Sequence, residues 1–238
     1  MIEPRVIYRD ENFLALDKPA GLLVHAGGGV KSKEKTLADW LKENYPQTGK
    51  VGDDPVFRPG IVHRLDKDTS GLMLVALNQD YFSYLKSLFQ SRQIKKTYLA
   101  LVHGSVKEKE GLIEKTIGLK SGSIKRTTRL DSAKNLKPAV TYYRLQKRFS
   151  LGGEKFSLLA VAPQTGRTHQ IRVHLASIGH PVVGDKLYGG KRDSLGLERQ
   201  FLHASTLEFP VEPGKVMKIA ADLPGDLENT LRKLTPEN

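Results

Sequence analysis

His63-Arg64-Leu65-Asp66-Lys67-Asp68-Thr69-Ser70-Gly71 runs directly into Leu72-Met73-Leu74-Val75-Ala76-Leu77. The second stretch is an unbroken apolar run of strand length, and the first is a cluster of charged, hydroxyl and glycine residues of the kind that forms turns. Together they read as a loop that delivers Asp66, two residues after Arg64, to the head of a buried strand, where a rigid scaffold can hold a reactive group. By local chemistry alone an Asp beside Arg and Lys is an ordinary solvated ion pair. The meaning of Asp66 therefore depends on what surrounds it.

Toward the N-terminus, Val6-Ile7-Tyr8 and Phe13-Leu14-Ala15-Leu16 flank the polar Arg9-Asp10-Glu11-Asn12 and predict a short hairpin that enters a Lys18-Pro19 turn. Thr36 is placed to cap a helix through Tyr45, with Leu37, Trp40 and Leu41 as its buried stripe and Pro46 as its stop. Between them, Ala26-Gly27-Gly28-Gly29-Val30 lacks the GxxxxGK[ST] spacing and reads as a flexible connection with no bound nucleotide.

Toward the C-terminus, Tyr81, Phe82, Leu85, Leu88 and Phe89 follow helical spacing after a cap near Asn78 or Gln79. Thr97 to His103 reads as a strand ended by Gly104, and Tyr142-Leu145 and Phe156-Val161 as strands separated by a Gly152-Gly153 turn. A helix is expected from about Thr168 to Ile178, with Ile171, Leu175 and Ile178 on its buried face and Gly179 at its end. Strands and helices alternate without βαβ rhythm or a fixed repeat, which predicts an α+β fold with a mixed, largely antiparallel sheet.

The chain has 238 residues, 39% of them hydrophobic, enough for a sizeable core in one domain or two small ones. Its net charge of +12 points to an anionic partner, with nucleic acid the leading class. The charge is uneven: Lys107 to Arg148 holds 12 Lys/Arg against 4 Asp/Glu. Within it Lys120, Lys125, Arg126, Arg129, Lys134 and Lys137 are interleaved with Ser, Thr, Gly and Asn, as in a phosphate-gripping surface loop or hairpin. A solvated basic hairpin without a partner has the same composition. There is no cysteine, which excludes disulfides and thiolate metal sites. No apolar run approaches membrane-spanning length and Met1-Ile2-Glu3-Pro4-Arg5 is not a signal peptide, so a cytoplasmic protein without membrane attachment is expected.

Several blocks resemble, in order, the motifs of the RluA family of RNA pseudouridine synthases. His63 to Gly71 resembles its catalytic motif, Lys18-Pro19-Ala20-Gly21 its first motif, and Lys96-Thr97-Tyr98-Leu99-Ala100 the motif with its active-site tyrosine. Gly166-Arg167-Thr168-His169-Gln170-Ile171-Arg172-Val173-His174 resembles the third motif, followed by Gly179-His180-Pro181-Val182-Val183-Gly184-Asp185, and Leu202-His203-Ala204 the last. The similarity runs from about Val6 to about Leu223. It implies the pseudouridine synthase catalytic fold: one catalytic domain over 1–238, a long sheet with flanking helices, and a central RNA-binding cleft. The first motif begins within the first twenty residues, so no separate N-terminal RNA-binding module is expected. RNA choice would then fall to loops of the catalytic domain. The implied partner is tRNA, rRNA or both; no cofactor, metal or obligate protein partner is implied, and a monomer is the expectation.

The implied reaction detaches uracil from the ribose, rotates it and rejoins it through carbon 5. A carboxylate could attack the anomeric carbon or remove the neighbouring 2′ proton, and the residues leave both roles open for Asp66. The resemblance assigns Arg172 as the partner of Asp66. In an ideal helix Arg172 is turned about 100° from Ile171, which lets it leave the buried face. Tyr98 would stack on the uracil and carry a hydroxyl toward carbon 5. Arg64, on the same side as Asp66 if the segment is extended, would take the place of the extruded base. Leu72 and Ile171 would pack beneath that base, with Lys96, Arg167 and His169 as further substrate contacts. Flipping costs a few kcal/mol, least in loops, which favours stem-loop substrates.

Three rivals compete. Asp68-Thr69-Ser70-Gly71 has one residue too many for the aspartic protease triplet. A two-carboxylate glycosidase needs an acidic partner that these motifs do not offer. The serious alternative is an RNA-binding protein without turnover. The histidines are scattered, with no HExxH or carboxylate pair at ligand spacing, so no metal site is expected.

Overall fold

The computed structural model describes residues 2–26, 34–123, 125–190, 195–212 and 214–237. The glycine run read as a connection has Gly27 to Val30 outside these described residues. In chain order the elements are β1 (Arg5–Arg9), β2 (Phe13–Lys18), α1 (Leu37–Asn44), β3 (Ser70–Ala76), α2 (Gln79–Gln90), β4 (Lys95–His103), β5 (Glu110–Glu114), β6 (Ile117–Lys120), β7 (Arg126–Thr127), β8 (Ala133–Lys137), β9 (Val140–Leu151), β10 (Glu154–Pro163), α3 (Gln170–Ser177), β11 (Leu202–Glu212), β12 (Lys215–Ala220), α4 (Gly225–Arg232) and β13 (Thr235–Glu237). They are α+β in character and group into two compact units. One is Met1–Lys95 with Ala204–Asp222, the other Lys96–His203 with Leu223–Asn238, so the chain changes unit inside β4 and β11.

In the first unit the strand order is β1-β2-β3-β11-β12. The β1–β2 hairpin closes because the Asp10 carboxylate accepts from the backbone N–H groups of Asn12 and Phe13 at 2.8 and 2.9 Å. Every residue of β3 is buried, so both faces of the sheet are covered at this strand. Leu72, Leu74 and Ala76 share one face by the period-two rule and meet Phe82, Leu85 and Leu88 of α2 together with Phe13, Leu207 and Phe209. Burial of each large side chain there contributes about 1.5–3 kcal/mol. Helix α2 is capped by Asn78, whose side chain accepts from the Tyr81 N–H at 2.8 Å. Helix α1 has a reciprocal cap: Thr36 Oγ1 accepts from the Asp39 N–H and the Asp39 carboxylate from the Thr36 N–H. Pro46 ends it by opening a single 3-10 turn.

The position of Gly71 explains the last letter of the polar run. Its φ is +113°, and a Cβ there would lie 2.3 Å from the Ala204 carbonyl oxygen and 2.7 Å from the Ala204 nitrogen. Only glycine lets β11 approach the start of β3 so closely.

In the second unit β4, β10 and β9 lie side by side as antiparallel pairs, with β5 and β13 both on β9. The β9–β10 hairpin turns at Gly152 and Gly153, both at positive φ. The basic region is more ordered than a loop or simple hairpin: β7, β6 and β8 form a separate three-stranded antiparallel sheet. It is tied down by a small apolar cluster in which Ile117 and Ala139 meet Val173 of α3, with Tyr188 packed against them.

Helix α3 departs from the amphipathic reading. Gln170, Ile171, Arg172, Val173, His174 and Leu175 are all buried, so it has no solvent face through its first six residues. Polar members are accommodated by side-chain hydrogen bonds. Gln170 Oε1 accepts from Thr165 Oγ1 and the Arg167 N–H, while its amide nitrogen donates to the Val140 carbonyl and Thr141 Oγ1. His174 bridges Thr141 Oγ1 and the Lys115 carbonyl at 2.9 and 3.0 Å, and burial lowers its pKa. No helix among the described residues is long and apolar enough to cross a membrane.

Candidate functional site

The Asp66 loop belongs to the first unit. Leu65 is buried, Arg64 is exposed and Asp66 is intermediate, so the alternation puts the charged pair on the side away from the core. The turn is closed by the Thr69 N–H donating to the Asp66 carbonyl at 3.1 Å. Its anchor is Lys18, a fully buried side chain whose ammonium donates to the carbonyls of Pro19, Leu22 and Lys67, each at 2.9 Å. The Gly21 N–H donates to the same Lys67 carbonyl at 3.0 Å. The first motif thus acts as a clamp on the loop that carries Asp66. A buried ammonium is tolerated because its donors meet carbonyl oxygens.

His63 is a second pin. Its Nε2 accepts from the Leu74 N–H at 2.9 Å, and its ring stacks on Phe89 with centroids 4.5 Å apart. His25, four residues after Gly21, was not singled out by sequence. It is 3% exposed, and Arg64 Nη1 lies 3.4 Å from its Nε2. Burial, then the charges of Arg64 and Arg58, push its pKa down to about 4. The ring is therefore neutral near pH 7 and Nε2 accepts from Arg64. Its Nδ1, which then carries the proton, is buried without a hydrogen-bond partner among the described residues. Leu72 has no exposed surface and lies in the core of the unit.

The other residues predicted from sequence belong to the second unit. Tyr98 is on β4, half-buried against the core cluster and paired in register with Val161 of β10. Lys96 begins this unit, two residues earlier on the same strand. Arg167 is exposed, with Nε donating to the Pro138 carbonyl at 3.3 Å. His169 stands at φ +56° immediately before α3, a left-handed position that turns the chain into the helix. Ile171 is 6% exposed within the core cluster.

Arg172 is buried, 5% exposed, and is gripped side-on by Asp185: Nε to Oδ2 at 2.7 Å and Nη2 to Oδ1 at 2.9 Å. Asp185 Oδ1 also accepts from the backbone N–H groups of Leu187 and Tyr188 at 2.9 and 3.1 Å, which fixes the carboxylate before it meets the arginine. The Arg172 guanidinium lies over the Tyr188 ring, 5.4 Å from its centroid. The Tyr188 hydroxyl in turn lies 3.0 Å from His169 Nδ1 and accepts from the Arg126 N–H at 2.9 Å. Asp185 stands in a block the sequence had marked, but its pairing with a residue thirteen positions earlier left no local signal, and Tyr188 left none beyond its proximity.

Lys120, Lys125, Arg126, Arg129, Lys134 and Lys137 make no ion pair with an acidic side chain among the described residues. Four of them, Lys120, Arg129, Lys134 and Lys137, are exposed. Their charge is thus available to an anionic surface. No group of three or more His, Asp or Glu side chains that could hold a metal occurs among the described residues.

Residues 12–177 match the family model described as RNA pseudouridylate synthase. The chain is 40% identical to a ribosomal large subunit pseudouridine synthase D of Nitrosomonas europaea, over 97% of this chain and 65% of that protein. An uncharacterized RNA pseudouridine synthase of Chloroflexus aurantiacus is 42% identical over 92% of this chain, again 65% of the relative. The chain therefore spans about two thirds of the length of these relatives. Among solved structures, the human RNA pseudouridylate synthase domain containing 1 superposes with a TM-score of 0.78 at 28% identity, covering 99% of this chain and 89% of that one.

Proposed function

We propose that this chain, which belongs to the RNA pseudouridylate synthase family, isomerises uridine to pseudouridine in structured RNA, with Asp66 as the catalytic carboxylate. The bond between ribose C1′ and uracil N1 breaks, the ring turns, a C1′–C5 bond forms, the C5 proton is lost and N1 takes one up. Atoms and electrons balance without an oxidant or cofactor. The observation that carries the reading is the construction of the Asp66 loop: the buried Lys18 ammonium and the His63 pin hold it at the head of β3, as positional catalysis requires. In this reading Asp66 attacks C1′ or removes the 2′ proton, and Tyr98 stacks on the uracil.

Arg64 takes the place of the extruded base, and His25 holds it through Nε2. The family resemblance makes Arg172 the cationic group that serves the reaction, and Asp185 aligns its guanidinium. Arg167, His169 and Lys96 contact the RNA, while Leu72 and Ile171 support the surface beneath the base. The unpaired basic sheet supports binding of the phosphate backbone. The names of the relatives favour large-subunit rRNA over tRNA as substrate.

The test is tritium release from carbon-5-labelled uridine in bulk rRNA and bulk tRNA, comparing wild type with Asp66→Asn. Release from rRNA by the wild type, lowered at least about 100-fold in the variant while RNA affinity is kept, is the expected result. Equal release by both proteins would remove Asp66 from the chemistry. RNA binding by both without any release would favour the binding-protein alternative.

A further inference from the structure

The second unit contains a junction that the reaction itself does not call for. Tyr188 meets three separate parts of that unit with three parts of its own side chain. Its ring face carries the Arg172 guanidinium, 5.4 Å from the centroid. Its ring also packs on Ile117, Ala139 and Val173, the cluster that seats the basic sheet on α3. Its hydroxyl accepts from the backbone N–H of Arg126, at the start of β7, at 2.9 Å and lies 3.0 Å from His169 Nδ1. The hydroxyl thus joins the backbone of β7 to the ring of His169 through a single oxygen. Among the described residues the buried Nε of Arg126 has no hydrogen-bond partner.

We propose that Tyr188 is a positioning residue that couples RNA held on the basic sheet to Arg172: the hydroxyl sets the edge of β7 and the orientation of His169, and the ring sets the guanidinium. The inference rests on the reading of Arg172 as part of the reacting centre and of the basic sheet as an RNA-binding surface. The two tasks belong to different atoms, so they separate by substitution. Tyr188→Phe keeps the ring beneath Arg172 and removes the hydroxyl's contacts with the Arg126 N–H and His169, whereas Tyr188→Leu removes the stacking face as well.

The experiment measures tritium release and equilibrium affinity for carbon-5-labelled rRNA with wild type, Tyr188→Phe and Tyr188→Leu, after thermal melting has shown all three folded. For Tyr188→Phe, KM and Kd are expected to rise roughly three- to tenfold with kcat within about twofold. For Tyr188→Leu, kcat is expected to fall in addition, on the order of tenfold. Unchanged affinity in Tyr188→Phe overturns the inference, because it is the signature of a tyrosine that only packs, and so does an equal fall of kcat in both variants, which would put the hydroxyl itself in the chemical step. A wild type that binds rRNA but releases no tritium sinks the proposed activity instead; the affinity of Tyr188→Phe then decides the role of the hydroxyl by itself.

Discussion

Replacing Asp185 by Asn should destabilise the protein far more than loss of one hydrogen bond would. The Arg172 and Asp185 side chains are 6% and 0% exposed and share two contacts of 2.7 and 2.9 Å. Asn keeps an oxygen that can still accept from the Leu187 and Tyr188 N–H groups, so the turn after Gly184 survives. What is lost is the negative charge and one acceptor, and the second guanidinium donor then faces an NH₂ group. Removing one partner of a buried ion pair costs about 3 kcal/mol or more, because the remaining charge has been stripped of water. For a chain of this size that corresponds to a melting temperature lower by on the order of 10 °C.

The assay is urea unfolding followed by far-ultraviolet circular dichroism, for wild type, Asp185→Asn, Arg172→Met and the double variant. The double variant is expected to recover at least half of the loss, since Met removes the stranded charge. The corresponding coupling energy is about 1–3 kcal/mol. A loss below about 1 kcal/mol in Asp185→Asn, or strictly additive losses in the double variant, would show that the pair is not the internal tie described here.

Gly71→Ala places a methyl group 2.3 Å from the Ala204 carbonyl at a φ of +113°; a loss of at least about 3 kcal/mol, or no soluble protein, is expected, and an unshifted urea midpoint would contradict it. His25 gives a pH signature. Its folded pKa of about 4 lies below the ordinary value of 6.5, so the unfolded chain takes up a proton first as pH falls. The stability held by the neutral ring is complete above pH 6.5 and drains away toward pH 4, by about 2 kcal/mol at pH 4.5. His174, also lowered, adds a loss of the same sign. Urea midpoints between pH 7.5 and 4.5 should flatten in His25→Gln; an identical slope in that variant would refute the assignment. Finally, Lys134→Glu with Lys137→Glu should weaken RNA binding across sequences and reduce the salt slope by about 1 to 2; an unchanged slope would take the small sheet off the RNA.

Much of the fold was legible in local pattern. The Asp10 turn, the Thr36 and Asn78 caps, the buried β3 run and the Gly152-Gly153 turn are each decided within a few residues by backbone hydrogen bonding or by period. The features that escaped are decided at a distance. Helix α3 lacks an amphipathic stripe because Gln170, Arg172 and His174 find partners on β9, Lys115 and Asp185, and no periodicity rule registers such partners. Strands β11 and β12 were not read as a pair, since Pro210 inside β11 carries a strand-breaking signal that tertiary pairing with Val216 overrides.

Strand β8, Ala133–Lys137, is almost wholly polar and exposed, which conceals a strand from any hydrophobic template. The candidate site divides in the same way. The motif residues stood out as a set through resemblance, whereas His25, Asp185 and Tyr188 became visible only through the side chains they touch. Lys18 was marked as a motif letter, but its task as a three-carbonyl clamp is a contact across 49 positions of sequence.

The most direct measurement is nucleoside analysis of an unmodified large-subunit rRNA transcript after incubation with the wild-type protein or with Asp66→Asn, digested and separated chromatographically. Pseudouridine formed at a defined position by the wild type, and absent with the folded variant that still binds the transcript, is the expected result. Pseudouridine in equal amount from both proteins would contradict the central role given to Asp66 and to the loop that Lys18 clamps in place.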